Sequence, residues 1–338
     1  MITPDQQAEY AARPIRWGIA GTGRIAGEFA GDMPLLDEGT VVAVGSRAMD
    51  TANEFADRFD IPNRHASYAD LVADPEVDAV YVSSPHPMHC DNALQAIEAG
   101  KHVLVEKPIT VNAAQARELV SAARERGVFL MEAMWTRFLP HIIDVRDVLA
   151  SGALGDVRMV QASHGYYMAE DASSRLFAPE LGGGALLDLG IYPVSFASMV
   201  FGRPSEITAV SAPAFTGVDA QTSMVFQYED GRQVALVTSL EATLSNTATI
   251  VGTEARIEID AAAYSPTSFS VITRDGEVTR HEHVEPGQGL RYQAGEVARC
   301  LRAGLLESPV MSLDETVQIM ETMDEVRRQI GLVYPQEK

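Results

Sequence analysis

Short apolar runs alternate with longer amphipathic stretches through the first 130 or so residues of the chain. Residues 15–20, 41–45, 79–82, 102–105 and 128–131 are rich in Val, Ile, Leu and aromatic side chains and bounded by glycine or polar positions, the mark of buried strands. Between them, residues 24–33, 50–59, 90–99 and 113–126 set Ala, Leu and Phe at helical spacing among charged positions, which predicts crossing helices. Strand and helix in turn predict a doubly wound parallel sheet of the α/β Rossmann type, preceded by a polar arm over residues 1–13.

The pattern changes after Arg137. A helix over 140–151 leads into runs at 157–163, 206–210, 222–228, 233–240, 247–251, 255–259 and 268–272, several with period-2 alternation. Turns such as Glu229-Asp230-Gly231 and Arg274-Asp275-Gly276 join neighbouring runs and predict antiparallel hairpins. Helices are expected at 191–201, 289–303 and 313–330, so the second half reads as an α+β domain with a large open antiparallel sheet. The expected organisation is a Rossmann domain over 1–137 and this α+β domain over 138–338, with no internal repeat, low-complexity tract or long linker.

Composition narrows the function classes. A length of 338 residues accommodates two cores, and 46% hydrophobic with 22% charged residues is ordinary for a globular chain. The net charge of −21 offers no basic field for DNA or RNA, so nucleic acid is not an expected partner. In so acidic a chain an anionic cofactor needs a local basic pocket, which draws attention to Arg24, Arg47 and Lys107. Cys90 and Cys300 lie far apart without C-x-x-C spacing, indicating neither a disulfide framework nor a cysteine-rich metal site, and a reducing cytoplasm is the expected location. The N-terminus lacks a signal-length apolar core and no later stretch has about eighteen uninterrupted apolar residues, so neither export nor a membrane is expected.

The strand at 15–20 runs directly into Gly21-Thr22-Gly23-Arg24-Ile25-Ala26 and a helix. In such a turn the first glycine permits the bend, the second lets the backbone approach a pyrophosphate, and Ala26 keeps helix and strand close, with the anion at the helix N-terminus. The next strand ends in Ser46 and Arg47 instead of the Asp or Glu that holds a ribose 2′-hydroxyl. A hydroxyl and a guanidinium suit a 2′-phosphate, so NADP is the expected cofactor, with NAD the alternative. Ser84, Pro85, His86 and His89 follow one strand and Glu106-Lys107-Pro108 another, both at the carboxyl edge where ligands bind. His86 and His89 are candidates for ribose or nicotinamide contact; their His-x-x-His spacing has no carboxylate or third histidine at ligand spacing nearby, and no metal is expected. A partly desolvated Lys107 beside a cationic nicotinamide would stabilise the anionic form of a neighbouring hydroxyl.

Further on, the glycine run at 182–184 is followed by Asp188 and Tyr192. Positions i and i+4 of a helix share one face, so a carboxylate and a phenol at this spacing reach a common pocket, where the phenol can pass a proton.

Together, the turn from Gly21 to Ala26, Pro85 to His89, Ala99 to Pro108, Met131-Glu132-Ala133-Met134-Trp135-Thr136-Arg137 and Gly182 to Pro193 resemble the glucose-fructose oxidoreductase / inositol dehydrogenase / rhizopine-catabolism (Gfo/Idh/MocA) family across nearly the whole chain. Within it, Arg175-Leu176-Phe177-Ala178-Pro179-Glu180-Leu181 and a tyrosine at 192, where many members have histidine, resemble the dimeric dihydrodiol dehydrogenase and NADP-dependent D-xylose dehydrogenase branch. The resemblance implies reversible hydride transfer between NADP and a hydroxyl-bearing carbon of a sugar, polyol or vicinal diol. It makes Lys107 the catalytic lysine ahead of a cis Lys107–Pro108 peptide, Tyr192 the proton-exchanging group, Asp188 an orienting residue, and Trp135 and Arg137 neighbours of the cofactor and pocket. Tyr166, Arg175 and Phe177, beside the glycine run, are candidates for substrate contact. A phenol with an ordinary pKa of about 10 needs positive charge nearby to act near neutrality. The resemblance further implies a homodimer or homotetramer formed through the open sheet, where residues 222–259 supply a face. Three other readings compete. A non-catalytic NADP-binding sensor would lack the lysine or the proton-transferring residue, and this chain has both. A glycoside hydrolase of the same family would oxidise its substrate only transiently, and a sugar-sugar oxidoreductase would never release its cofactor.

Overall fold

The computed structural model describes residues 2–337. The chain divides into two compact units, one built from the residues up to Trp135 together with Gly287–Val317, the other from Thr136–Pro286 and the residues from Gln318 onward.

In the first unit, α1 (Pro4–Ala12) occupies what the sequence pattern leaves as a polar arm. Its start is a capping box: Thr3 Oγ1 accepts from Gln6 N, and Gln6 Oε1 accepts from Thr3 N at 2.9 Å. Strands β1 (Ile15–Ala20), β2 (Gly39–Gly45), β3 (Asn63–His65), β4 (Ala79–Val82), β5 (His102–Glu106) and β6 (Leu130–Ala133) alternate with α2 (Arg24–Asp32), α3 (Met49–Phe59), α4 (Tyr68–Ala73), α5 (His89–Glu98) and α6 (Ala113–Arg126). The strands form one parallel sheet in the order β3-β2-β1-β4-β5-β6. Helices on both faces explain the unbroken apolar runs, and Ile15, Trp17, Ile19, Val80 and Leu104 are fully enclosed. Strand order reverses between β1 and β4, so the carboxyl ends of these two strands flank the position where such sheets bind ligands. The pattern misses β3 and α4, which are three and six residues long.

The second unit opens with α7 (Pro140–Ala150) and β7 (Val157–Gly165). A five-residue π-helical turn, Leu186–Gly190, then runs into α8 (Ile191–Phe201). Strands β8 (Glu206–Pro213), β9 (Asp219–Gln227), β10 (Gln233–Ser239), β11 (Ala248–Gly252), β12 (Ala255–Ile259), β13 (Phe269–Thr273) and β14 (Val278–His281) complete an eight-stranded sheet in the order β14-β13-β12-β11-β7-β10-β9-β8. Neighbours pair antiparallel except β7 with β10. That pair is parallel because the chain leaves β7, crosses through α8, and returns along β8 and β9 before laying β10 beside β7. One sheet face is core, with Val160, Phe226, Leu236, Ile250 and Ile257 at most 1% exposed, whereas Val210 and Val225 are 66% and 42% exposed. The run Pro179–Phe201 is long and apolar enough to cross a membrane, but 83% of its apolar window is buried, as in a core helix.

The sequence pattern assigns everything after residue 137 to one domain; the structure instead returns Gly287–Val317, with α9 (Arg291–Arg302), to the first unit. The physical reason is a buried carboxylate at the end of α2. Asp32 accepts from the amides of Gln288 at 3.0 Å and Arg291 at 2.8 Å, and the Arg291 guanidinium lies 3.2 Å from it. From there α10 (Leu313–Ile330) carries the chain into the second unit.

Candidate active site

At the carboxyl end of β1, Gly21 has φ +126, and a Cβ there would stand 2.9 Å from Ser83 Oγ, so both the turn and the close approach of β4's end require glycine. Gly23 is the N-cap of α2 and makes no side-chain cap, and a Cβ on it would meet nothing within 4 Å. Gly23 thus leaves room beside the first amides of α2, which fits a pyrophosphate at a helix N-terminus, and Thr22 and Ile25 next to it are half-buried. Arg24 is 78% exposed and pairs with Glu28 at 2.5 Å. Beyond β2, Arg47 is exposed, while Ser46 is 7% exposed with its Oγ 2.6 Å from Thr51 Oγ1.

His86 is buried and half-buried Pro85 precedes it, both past the end of β4. His89 departs from the expectation of cofactor contact. It is fully enclosed, with Nδ1 2.8 Å from the Pro108 carbonyl and Nε2 2.8 Å from the Ser84 carbonyl. Its ring thus ties the loop after β4 to the loop after β5, the one that carries Lys107. Ser84 Oγ in turn accepts from Asn92 Nδ2 at 2.9 Å. Glu106 is buried and accepts from the Tyr81 hydroxyl and, at 3.2 Å, from the Lys107 amide. Lys107 is half-buried and its bond to Pro108 is cis. Trp135, just past β6, is half-buried.

In the second unit, Asp188 lies in the π turn and Tyr192 in the first turn of α8, 6% and 8% exposed. The α-helical i, i+4 geometry expected for the pair is therefore modified, since one residue lies in the wider turn; such turns recur at functional sites. Asp188 Oδ1 accepts from Arg175 Nη1 at 2.9 Å, so the loop arginine orients the carboxylate. Arg137, 3% exposed, donates from Nε to Ser195 Oγ at 3.0 Å and from Nη2 to the Ser195 carbonyl at 2.7 Å, bracing α8 one turn beyond Tyr192. Tyr166 is half-buried, its ring centroid 5.6 Å from that of His164. Phe177 is 2% exposed and packs with Ala185, Leu189 and Leu240, which makes it a core residue under the glycine run instead of an open substrate contact.

Two residues that sequence reasoning missed flank the phenol. His164 on β7 stands edge-on to Tyr192 at 4.9 Å, and Tyr264 lies 5.4 Å from the same ring and stacks on His164 at 4.5 Å. The Tyr264 phenol is held protonated by burial, its pKa raised far above the ordinary value. His164 Nδ1 lies 3.2 Å from the Leu189 carbonyl, which fixes that ring against the π turn. Only the two-residue offset from Tyr166, the spacing at which side chains of an extended segment share a side, is a local signal.

A parallel sheet with a glycine turn at its switch point and open amides on the following helix defines a dinucleotide-binding protein. Residues 15–134 match the model of an oxidoreductase family with an NAD-binding Rossmann fold, residues 142–258 match the GFO/IDH/MocA C-terminal domain, and the chain belongs to the Gfo/Idh/MocA oxidoreductases. It is 40% identical over 330 residues to a trans-1,2-dihydrobenzene-1,2-diol dehydrogenase of Xenopus tropicalis, covering 95% of this chain and 99% of that one. To the enzyme of that name from Sus scrofa it is 41% identical over 337 residues, covering 96% and 99%. Among solved structures it resembles a 3-ketoreductase from Actinomadura kijaniata in complex with NADP and TDP-benzene (TM-score 0.83, 27% identity, 94% and 98% covered). It also shares its fold with an aldose-aldose oxidoreductase from Caulobacter crescentus (TM-score 0.85, 24% identity, 94% and 97% covered). The chain is therefore an oxidoreductase that uses a nicotinamide dinucleotide.

Proposed function

We propose that this protein is an NADP-dependent dehydrogenase acting on the CH–OH group of a vicinal diol, with trans-dihydrodiols ahead of aldoses such as D-xylose. The observation that carries the substrate class is 40–41% identity, end to end, to enzymes named for a trans-dihydrodiol. The nicotinamide, when bound, takes up or delivers the hydride. Tyr192 removes the substrate's hydroxyl proton during oxidation and returns it during reduction. Lys107 stabilises the negative charge that develops on the substrate oxygen, and Asp188, held by Arg175, orients the substrate hydroxyls. Arg47 and Ser46 select the 2′-phosphate, while Gly21 and Gly23 admit the pyrophosphate to the amides of α2.

This reading includes a homodimer in a reducing cytoplasm. Cys90 and Cys300 are free and buried, and burial pushes both thiols up to about 12, which fits a compartment where thiols stay reduced.

The test is the initial rate of nicotinamide absorbance change with NADP and with NAD, across trans-dihydrodiols, aldoses and inositols. Turnover is expected on the dihydrodiols with NADP, falling on the order of 100-fold or more in Tyr192→Phe and in Lys107→Ala. Cofactor binding without turnover on any substrate would replace this reading with the sensor. Release of an aglycone without net NADP reduction would replace it with the glycosidase.

A further inference from the structure

The first residue of β9, Asp219, is 3% exposed and has no place in the reaction as described so far. Its Oδ2 accepts from the Leu186 amide at 2.8 Å and from Thr222 Oγ1 at 2.9 Å. Leu186 opens the π turn that holds Asp188 and leads into Tyr192. Asp219 Oδ1 has no hydrogen-bond partner and faces Gly184, where a Cβ would come within 2.2 Å of it. Gly184 has φ +116 and its amide donates to the Leu176 carbonyl at 2.8 Å, next to Arg175, the partner of Asp188. One carboxyl group thus touches both the glycine run and the amide that begins the turn.

Building on the roles proposed above for Asp188 and Tyr192, we infer that Asp219 is a positioning residue for hydride transfer: its carboxylate, bonded to the Leu186 amide, sets the register in which the π turn holds Asp188 and Tyr192. As an anion it makes a charge-assisted bond to that amide and favours the N-terminal end of the helical run that follows; protonated, it is a weaker acceptor on both counts. Burial raises its pKa to about 7, so the bond changes strength close to neutral pH. Other titratable groups also pack on this segment. Tyr334 donates its hydroxyl to the Gly183 carbonyl at 2.7 Å, with Arg327 over its ring and Glu337 bonded to Arg327. Burial raises the Tyr334 phenol well above its ordinary value, and Glu337 and Asp324 hold Arg327 above its own, which keeps both protonated throughout. His164 faces the Leu189 carbonyl from β7, and Arg175 and Asp188 complete the set.

The experiment follows kcat for the preferred diol from pH 5.5 to 9, with amide-exchange protection of residues 186–191, corrected for intrinsic rate, over the same range. In the parent, kcat and protection are expected to fall together as the pH drops through about 7. Thr222→Val removes a donor to the carboxylate and should move both midpoints up by half a unit or more. Asp219→Asn should abolish the midpoint in protection while leaving the KM for NADP within twofold, and Asp219→Ala should lower kcat at least tenfold. If Thr222→Val and Asp219→Asn, each melting cooperatively, leave the parental midpoints in place, the inference is wrong. Should Asp219→Asn fail to fold, the Thr222→Val midpoint decides alone. Tyr192→Phe separates the two levels. Full turnover in that variant overturns the proton-transfer role itself, whereas loss of turnover with unmoved midpoints in the Thr222 and Asp219 variants overturns only the role of Asp219.

Discussion

Asp219 carries a stability cost along with its proposed task. With a folded-state pKa of about 7 against an ordinary value of 3.8, it binds a proton more tightly in the folded chain than in the unfolded one. Its contribution to stability is therefore fully present below about pH 4 and is lost as the pH rises through about 7. Asp219→Asn removes that dependence. From pH 5 to pH 8 the unfolding free energy of the variant relative to the parent should shift in the variant's favour by up to about 2–3 kcal/mol, read from denaturant titrations at each pH. A flat difference would place the carboxyl's pKa near its ordinary value. Arg47 acts at the same scale. Exposed beyond β2, it is expected to set cofactor choice, so Arg47→Asp should lower kcat/KM for NADP by about tenfold or more relative to NAD, as measured by the ratio of the two in one preparation.

Among the elements, the glycine run and the π turn form the least ordinary piece of backbone in the second unit. Gly184 needs its positive φ and has Asp219 Oδ1 against it, while Gly202, the C-cap of α8 with φ +72, faces open space. Gly202, at φ +72 and ψ −150, lies in a region that essentially only glycine adopts, so Gly202→Ala should cost the backbone strain of about 1–3 kcal/mol and leave kcat unchanged, whereas Gly184→Ala should cost more and also reduce kcat, as shown by melting curves and rates side by side. Most elements are legible in the sequence because their apolar period is long enough to read, and α6 and α8 fall on the residues the pattern predicts. The capping box at Thr3 and Gln6 is also written locally, yet the pattern leaves the segment as an arm because it offers little apolar period. The π turn is not legible, since one wider turn inside Leu186, Leu187 and Leu189 leaves the hydrophobic pattern unchanged. At the site, Gly21, Gly23 and Lys107 announce themselves through their position after strands. His89 misleads for the same reason: a loop at the sheet edge predicts ligand contact, and only packing decides that its ring turns inward to two carbonyls. Asp219 and Tyr264 carry no local signature of their place in the site, because the Leu186 amide and the Tyr192 ring they meet lie 33 and 72 residues away in the chain.

For the whole molecule, the open sheet face is the feature with an outward consequence. Val210 and Val225 lie on it at 66% and 42% exposure, in a chain whose net charge of −21 keeps copies apart unless a specific surface joins them. Light scattering behind size exclusion should give twice the 36.5 kDa chain mass, and Val225→Glu should shift it to the monomer. A monomeric parent would remove the dimer from the proposal. The division into units has a different consequence, one of timing. The parallel sheet is complete in sequence at Ala133, but Asp32 and the Leu130 amide receive their partners from Arg291 and Leu306. A ribosome adding about 5–20 residues per second needs roughly ten to thirty seconds to deliver what lies between. During that interval a buried carboxylate and a strand-end amide of the cofactor half wait on residues that have yet to be made, so the nascent chain closes its first fold with its own far end.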